Sequence, residues 1–238
     1  MAKIYRRDVI EDRIETIGAA DDHDSSGPVV SYKGVLCDPK YSKATMIGCT
    51  LSMFQQLTGI NFIMLYSNTL FGNLNMSAQN ITGLVGVVNF FSVFGGLALL
   101  TMAGRRSIWI WVNLAIAVIL ILEGIFSLSG HETLSIIFTM AFIVAFELAP
   151  GPILLLYCAE IMQDKGISLA LVVNWVMSLG ISMVTPSLLR AIGDDNIGYI
   201  FIVMGGCTLV GSLFAIKFMK ETRGKTKAQI EVMFRKQE

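Results

Sequence analysis

From Ala44 to Ile216 the chain alternates long apolar stretches with short polar or glycine-containing turns. Six of the stretches reach the roughly 20 residues that a helix needs to cross a bilayer. They run over 44–70, 81–103, 107–128, 134–161, 166–189 and 198–216, with turns at 72–79, 104–106, 129–133, 163–165 and 190–197. The pattern predicts an all-α integral membrane protein with six transmembrane helices over residues 44–219. An even number of crossings puts the flanks, 1–43 and 220–238, on the same side of the membrane.

Charge fixes which side. The segment before the first span carries seven Lys or Arg, the second loop Arg105 and Arg106, the fourth loop Lys165 and the tail from Lys217 another seven. Only Arg190 falls on the opposite face, so the enrichment of basic residues in cytoplasmic flanks predicts that both termini are cytoplasmic. The sequons at Asn75 and Asn80 fall in the first loop, which this orientation turns outward.

Composition narrows the class further. Charged residues make up 15% of the chain, against roughly 25% in a soluble domain. Lys plus Arg equals Asp plus Glu at 18 each, so no basic field exists to recruit nucleic acid. His23 and His131 have no metal-ligand spacing, the four cysteines are dispersed as expected of free thiols, and no hydrolase or nucleotide-binding pattern occurs. The expectation is a protein without enzyme chemistry, metal or cofactor. Ahead of the spans, Ile10, Ile14 and Ile17 recur at helical spacing in a charged stretch that lacks the apolar core of a signal peptide. Residues 21–28 read as an acidic linker.

Polar groups inside the spans are the candidates for function, since each must find a neighbour or water at membrane depth. The first span holds Gln55, Gln56, Thr58 and Asn61. On a regular helix Gln56 and Asn61 stand about 140° apart, and Gln55 and Asn61 about 120°. Local unwinding at Thr58-Gly59 would let the amides converge on a cavity; interhelical amide bonding is the alternative. In the second span Gly86, Asn89, Ser92 and Gly96 form a small, polar face that either packs closely or lines a pore. The fourth span carries Glu147 just before Ala149-Pro150-Gly151-Pro152, and two prolines must bend or break the helix beside the carboxylate. A binding role for Glu147 competes with a plain hydrogen bond to a neighbouring helix. Glu123 is expected nearer the outer end of its span, within reach of water, and Glu160 at the cytoplasmic surface with Arg105, Arg106 and Lys165. In the fifth span Asn174 and Ser178 share a face with Trp175 adjacent. Amide, hydroxyl and aromatic ring together suit a polyhydroxylated ligand, although a tryptophan also packs against lipid or helices.

Taken in order, Gln55-Gln56-Leu57-Thr58-Gly59-Ile60-Asn61 with Tyr66, Gly104-Arg105-Arg106, Glu147 through Ile153 with Ala159-Glu160, Asn174-Trp175 and Glu221-Thr222-Arg223-Gly224-Lys225-Thr226 resemble the sugar porters of the major facilitator superfamily. Over about residues 30–234 the chain looks like their C-terminal half, spans seven to twelve, with 1–43 resembling the cytoplasmic linker between halves. The resemblance implies a transporter that moves a hexose-like sugar by alternating access. Gln55, Gln56, Asn61, Asn89, Glu147, Asn174 and Trp175 would bind substrate. Tyr66 would sit with the extracellular gate, and Arg105, Arg106, Glu160 and Glu221 would form a cytoplasmic charge network. It also implies an integral location, with the plasma membrane expected, and an N-terminal six-helix half that this chain lacks. A truncated reading frame, a half-transporter that pairs with another half and a non-transporting ligand-binding copy all fit that length.

Departures from the family pattern are equally legible. Thr101 stands where an acidic residue is usual, Lys220 replaces the proline before Glu221-Thr222, and Leu154-Leu155 replace a Pro-Trp pair that commonly supplies a sugar-stacking ring. The usual Arg of the fourth loop is absent, with Lys165 the nearest substitute.

Overall fold

A computed structural model describes residues 30–71, 78–193 and 196–234. The chain divides into two units, 1–31 and 32–238, and the second holds the helical bundle. The helix expected around Ile10, Ile14 and Ile17 lies outside the described residues.

Among the described residues ten helices succeed one another: α1 Tyr32–Cys37, α2 Ser42–Leu57, α3 Ile60–Phe71, α4 Ala78–Met102, α5 Arg105–Leu128, α6 Glu132–Leu148, α7 Pro150–Ile161, α8 Asp164–Ile192, α9 Gly198–Phe218 and α10 Lys227–Phe234. Five helical runs are long and apolar enough to cross a membrane, Gly83–Met102, Arg105–Leu128, Thr133–Ile161, Asp164–Ile192 and Gly198–Phe218. The first predicted span is split into α2 and α3, of 16 and 12 residues, and neither piece is among those five. Asn80 falls in the first turn of α4, so that sequon is helical and not in a loop.

Both breaks have local causes. At Gly59 the backbone takes a φ of +88°, a left-handed conformation open to glycine without a Cβ penalty. Thr58 still closes α2, bonding its N–H to the Phe54 carbonyl, and the Gly59 carbonyl accepts the Ile63 N–H to start α3. Ala149 precedes a proline, where the helical region is crowded by the ring, and adopts φ −139° and ψ −66°. Pro150 then opens α7, in a first turn where a missing N–H costs no intrahelical bond.

Helix packing in a bilayer depends on close backbone approach, since lipid tails are as apolar as leucine. The most extensive contact is between α5 and α9. A Cβ on Gly124 would lie 2.5 Å from the Gly198 carbonyl oxygen and one on Gly205 3.1 Å from that of Ala117, so any side chain there would separate the helices. Two apolar clusters fill the bundle. One near the basic end joins Leu51, Trp109, Tyr157 and Cys158 to Ile230 and Phe234 of α10; the other joins Phe62, Leu120, Phe142 and Phe201 towards the opposite end. Short α1 packs Val35 against α2 and α8. In contrast, α4 exposes Phe90, Phe91 and Phe94, and α8 exposes Trp175, Val176, Leu179 and Met183.

The structure corrects two further expectations. Glu123 is 1% exposed, far from the water access anticipated, and accepts a hydrogen bond from the Ser135 hydroxyl of α6 at 2.5 Å. Lys165 places its ammonium 5.3 Å from the centre of the Tyr32 ring and makes no ion pair among the described residues.

Candidate functional site

The break at Gly59 turns Asn61 towards Gln56, and Asn174 of α8 joins Gln55 to the same run of bonds. Because α3 restarts with a new phase, Asn61 reaches back and its Nδ2 donates to Gln56 Oε1 at 2.6 Å. The same nitrogen lies 2.9 Å from Ser178 Oγ on α8. Gln56 Nε2 donates to Asn174 Oδ1 at 2.9 Å, and Asn174 Nδ2 donates to Gln55 Oε1 at 2.7 Å. Gln55 Nε2 in turn donates to the Pro150 carbonyl oxygen at 2.5 Å. The chain of bonds links α2, α3, α8 and the start of α7. Thr58 stays local, donating its hydroxyl to the Gln55 carbonyl.

Gln55 and Gln56 are buried, whereas Asn61 and Asn174 are half-buried and keep surface available for a further partner. Amides suit such a site because each offers both a carbonyl acceptor and an NH2 donor, matching hydroxyls that can do either.

A second polar pair flanks the other break. Asn89 Nδ2 of α4 donates to Glu147 Oε1 at 2.9 Å. Glu147 lies one turn before Pro150, so the α6–α7 break sits between this pair and the amide chain. The small face of α4 serves two ends: a Cβ at Gly96 would come 2.7 Å from the Glu147 carbonyl oxygen, while one at Gly86 would meet nothing. Close packing and openness, alternatives in the sequence, coexist along one helix.

Trp175 is not drawn into the amide chain. The residue is 70% exposed on α8. Tyr66 lies within α3, and its side chain is outside the described residues.

At the basic end, the four expected charged residues meet, through a different arrangement than simple ion pairing. Arg105 Nε lies 3.2 Å from Glu160 Oε1. Glu221 instead caps α5: its two carboxylate oxygens accept the backbone N–H groups of Arg105 and Arg106 at 3.0 and 3.2 Å. This pairs an anion with the positive end of a helix dipole. Gly104 is required for that approach, because a Cβ there would overlap the Glu221 carboxylate. The Arg106 guanidinium makes no ion pair among the described residues and donates to the Ile216 carbonyl at the end of α9. Sequence reasoning assigned no task to the two residues after Glu221. Thr222 donates its hydroxyl to Glu160 Oε2 at 2.6 Å, and Arg223 donates to the Thr101 and Met102 carbonyls that end α4. Buried Tyr157 accepts the Lys220 N–H, the donor that a proline at position 220 would lack.

A family description, sugar (and other) transporter, matches residues 2–234, and the chain belongs to that family. It is 28% identical over 237 residues to hexose transporter 1 of Plasmodium knowlesi, covering 94% of this chain and 47% of that protein. Over 211 residues it is 29% identical to the major myo-inositol transporter IolT of Bacillus subtilis, covering 83% and 44%. Among solved structures it resembles the proton:xylose symporter XylE bound to 6-bromo-6-deoxy-D-glucose, with a TM-score of 0.72, 24% identity and coverage of 80% of this chain and 42% of that one. The inward-open xylose transporter XylE from E. coli gives a TM-score of 0.71 at 21% identity, covering 94% and 46%. The fold is thus one half of a major facilitator fold, integral to the membrane, and the family is one of transporters and not of enzymes. The chain spans about half the length of the curated relatives it matches.

Proposed function

We propose that this chain forms the C-terminal, sugar-binding half of a transporter that moves a hexose-like sugar by alternating access. Gln55, Gln56, Asn61 and Asn174 bind the sugar hydroxyls from one side and Asn89 with Glu147 from the other. The observation that carries this reading is the amide chain across the Gly59 break, a run of hydrogen bonds through five polar side chains of α2, α3 and α8. Irregular backbone at membrane depth is tolerated where it is buried in protein or lines a cavity. Related proteins named as hexose and myo-inositol transporters support the substrate class.

In this reading Trp175 and the exposed faces of α4 and α8 meet an N-terminal six-helix half, and Trp175 offers its ring to the C–H face of the sugar from that seam. Tyr66 belongs to the outer gate. Arg105, Arg106, Glu160 and Glu221, joined by Arg223 at the end of α4, lock the cytoplasmic ends of α4, α5, α7 and α9 in the outward-facing state. Both termini lie in the cytoplasm and the protein resides in the plasma membrane.

Uptake of radiolabelled glucose tests the proposal, measured for this chain alone and for the chain co-expressed with a sugar porter N-terminal half. The expected result is uptake only with the partner half, abolished by Glu147→Ala. No uptake in either arm, with the chain correctly inserted, would favour a ligand-binding protein that transports nothing.

A further inference from the structure

Between α2 and α9 the bundle opens towards its basic end. The rings of Phe54 and Phe214 hold the two helices together with centroids 5.8 Å apart. Beyond them lies a cavity of about 560 Å³, walled by Met46 and Ile47 of α2 and by Phe214 and Phe218 of α9. Ser42 and Lys43 form its rim, where the α1–α2 turn crosses. From Ser42 to Thr50, both lining residues, the cavity follows α2 for about 12 Å.

Lys43 on the rim and Lys217 beside the lining Phe218 both lack a carboxylate partner among the described residues. Both are exposed, and the Lys217 ammonium stands 5.4 Å from the centre of the Phe218 ring. Of the neighbouring charges, Lys40 is already bound to Glu231, while Asp38, exposed between the lining Cys37 and Pro39, accepts the Lys40 backbone N–H and keeps its charge, so the two lysines leave this end net positive by one. The positive end of the α2 dipole adds to the same field.

A small water-soluble anion would use this rim and leave the apolar walls empty, and an uncharged lipid would use the walls and leave the lysines unpaired. A molecule with both parts satisfies both, and basic pockets between helices at a cytoplasmic face suit anionic headgroups. We infer that the α2–α9 cleft is a binding site for one anionic phospholipid, with the phosphate between Lys43 and Lys217 and an acyl chain between Met46 and Phe214. The inference rests on the proposed placement of this end at the cytoplasmic leaflet.

The test uses the full chain in detergent, incubated with phosphatidylglycerol and phosphatidylcholine of identical acyl chains, with retained lipid counted by native mass spectrometry. Phosphatidylglycerol should be retained in preference, by about five-fold for each lysine. Lys43→Gln with Lys217→Gln should abolish the preference, and Lys43→Arg with Lys217→Arg should keep it. Phe218→Ala should weaken retention of both lipids, and bound phosphatidylglycerol should slow maleimide labelling of exposed Cys37 on the cavity wall. Equal retention of the two lipids by the unaltered chain, or an unchanged preference in the double Gln variant, would overturn the inference. Neither sugar nor a partner half enters this measurement, so its failure is distinct from a failure of transport. Protease access to the tails in intact cells reads the orientation separately.

Discussion

Asn61 donates a hydrogen bond to Gln56 across a break in the helical segment that carries both, with 2.6 Å between Nδ2 and Oε1. On an unbroken helix the two side chains would point about 140° apart. The left-handed residue between them brings them together, and Ser178 and Asn174 then hold both in place from α8.

Gly59→Ala should therefore damage binding and stability together. A Cβ at position 59 meets the Met204 sulfur, and the φ of +88° penalises any L side chain. A loss of about 1–3 kcal/mol is expected from these combined effects. Met204→Ala should recover only the steric part, leaving the backbone term; full recovery in a thermal unfolding assay would show that the conformation is not strained.

Gln55→Ala and Asn61→Ala should each weaken sugar affinity about ten-fold while leaving insertion intact, since each removes a donor and leaves its partner unpaired. Equilibrium binding of labelled glucose to the complex with a partner half reads this. Unchanged affinity in both variants would remove these amides from the site.

The cap on α5 gives a second pair of variants. Glu221→Gln removes the charge that faces the Arg105 and Arg106 N–H groups, and an effect of about 0.3–2 kcal/mol on stability is expected. Gly104→Ala displaces the same carboxylate without backbone strain, because Gly104 has φ −74°. The two changes should be strongly non-additive in a double-mutant cycle; additive losses would mean that they act on separate contacts.

Lys40 and Glu231 tie the turn before α2 to α10 through a 2.5 Å ion pair at the surface. The hydrogen bond to Glu231 is the main cause that holds Lys40 above its ordinary pKa of 10.5. A raised lysine stabilises the folded state below its unfolded pKa, and the contribution disappears as pH rises through the folded value. The pair is partly exposed, so its worth is under about 1 kcal/mol and falls with salt. Lys40→Met should accelerate trypsin cleavage at Lys225 and Lys227, and 1 M salt should produce about the same change in the unaltered chain.

The architecture was legible because its causes are local. Apolar length gave the spans and Pro150 with Pro152 gave the fourth-span break, whereas the three amides around Gly59 left unwinding and interhelical amide bonding as alternatives, and the structure has both. Glu221 was visible only through resemblance, and its means of action was not: a carboxylate on two backbone N–H groups leaves no pattern of side chains. Thr222 and Arg223 escaped for the same reason, as their partners are Glu160 and the last carbonyls of α4, more than 60 residues away. Glu123 was misplaced because depth along a helix says nothing about which neighbour covers it.

The sequence by itself determined that this is an all-helical membrane protein, that its fourth span breaks at Pro150, and which polar groups have to be satisfied at membrane depth. Each of those follows from hydrophobic length, backbone restriction or desolvation, which act within one segment. Tertiary structure decided the pairing: that Asn174 bonds both glutamines, that Asn89 reaches Glu147, that Arg106 is used through its backbone N–H and a carbonyl, and that α2 and α9 part at their basic ends. Such choices depend on the distances between helices, which are set where small residues such as Gly124 and Gly198 let backbones approach and where no side chain fills the gap.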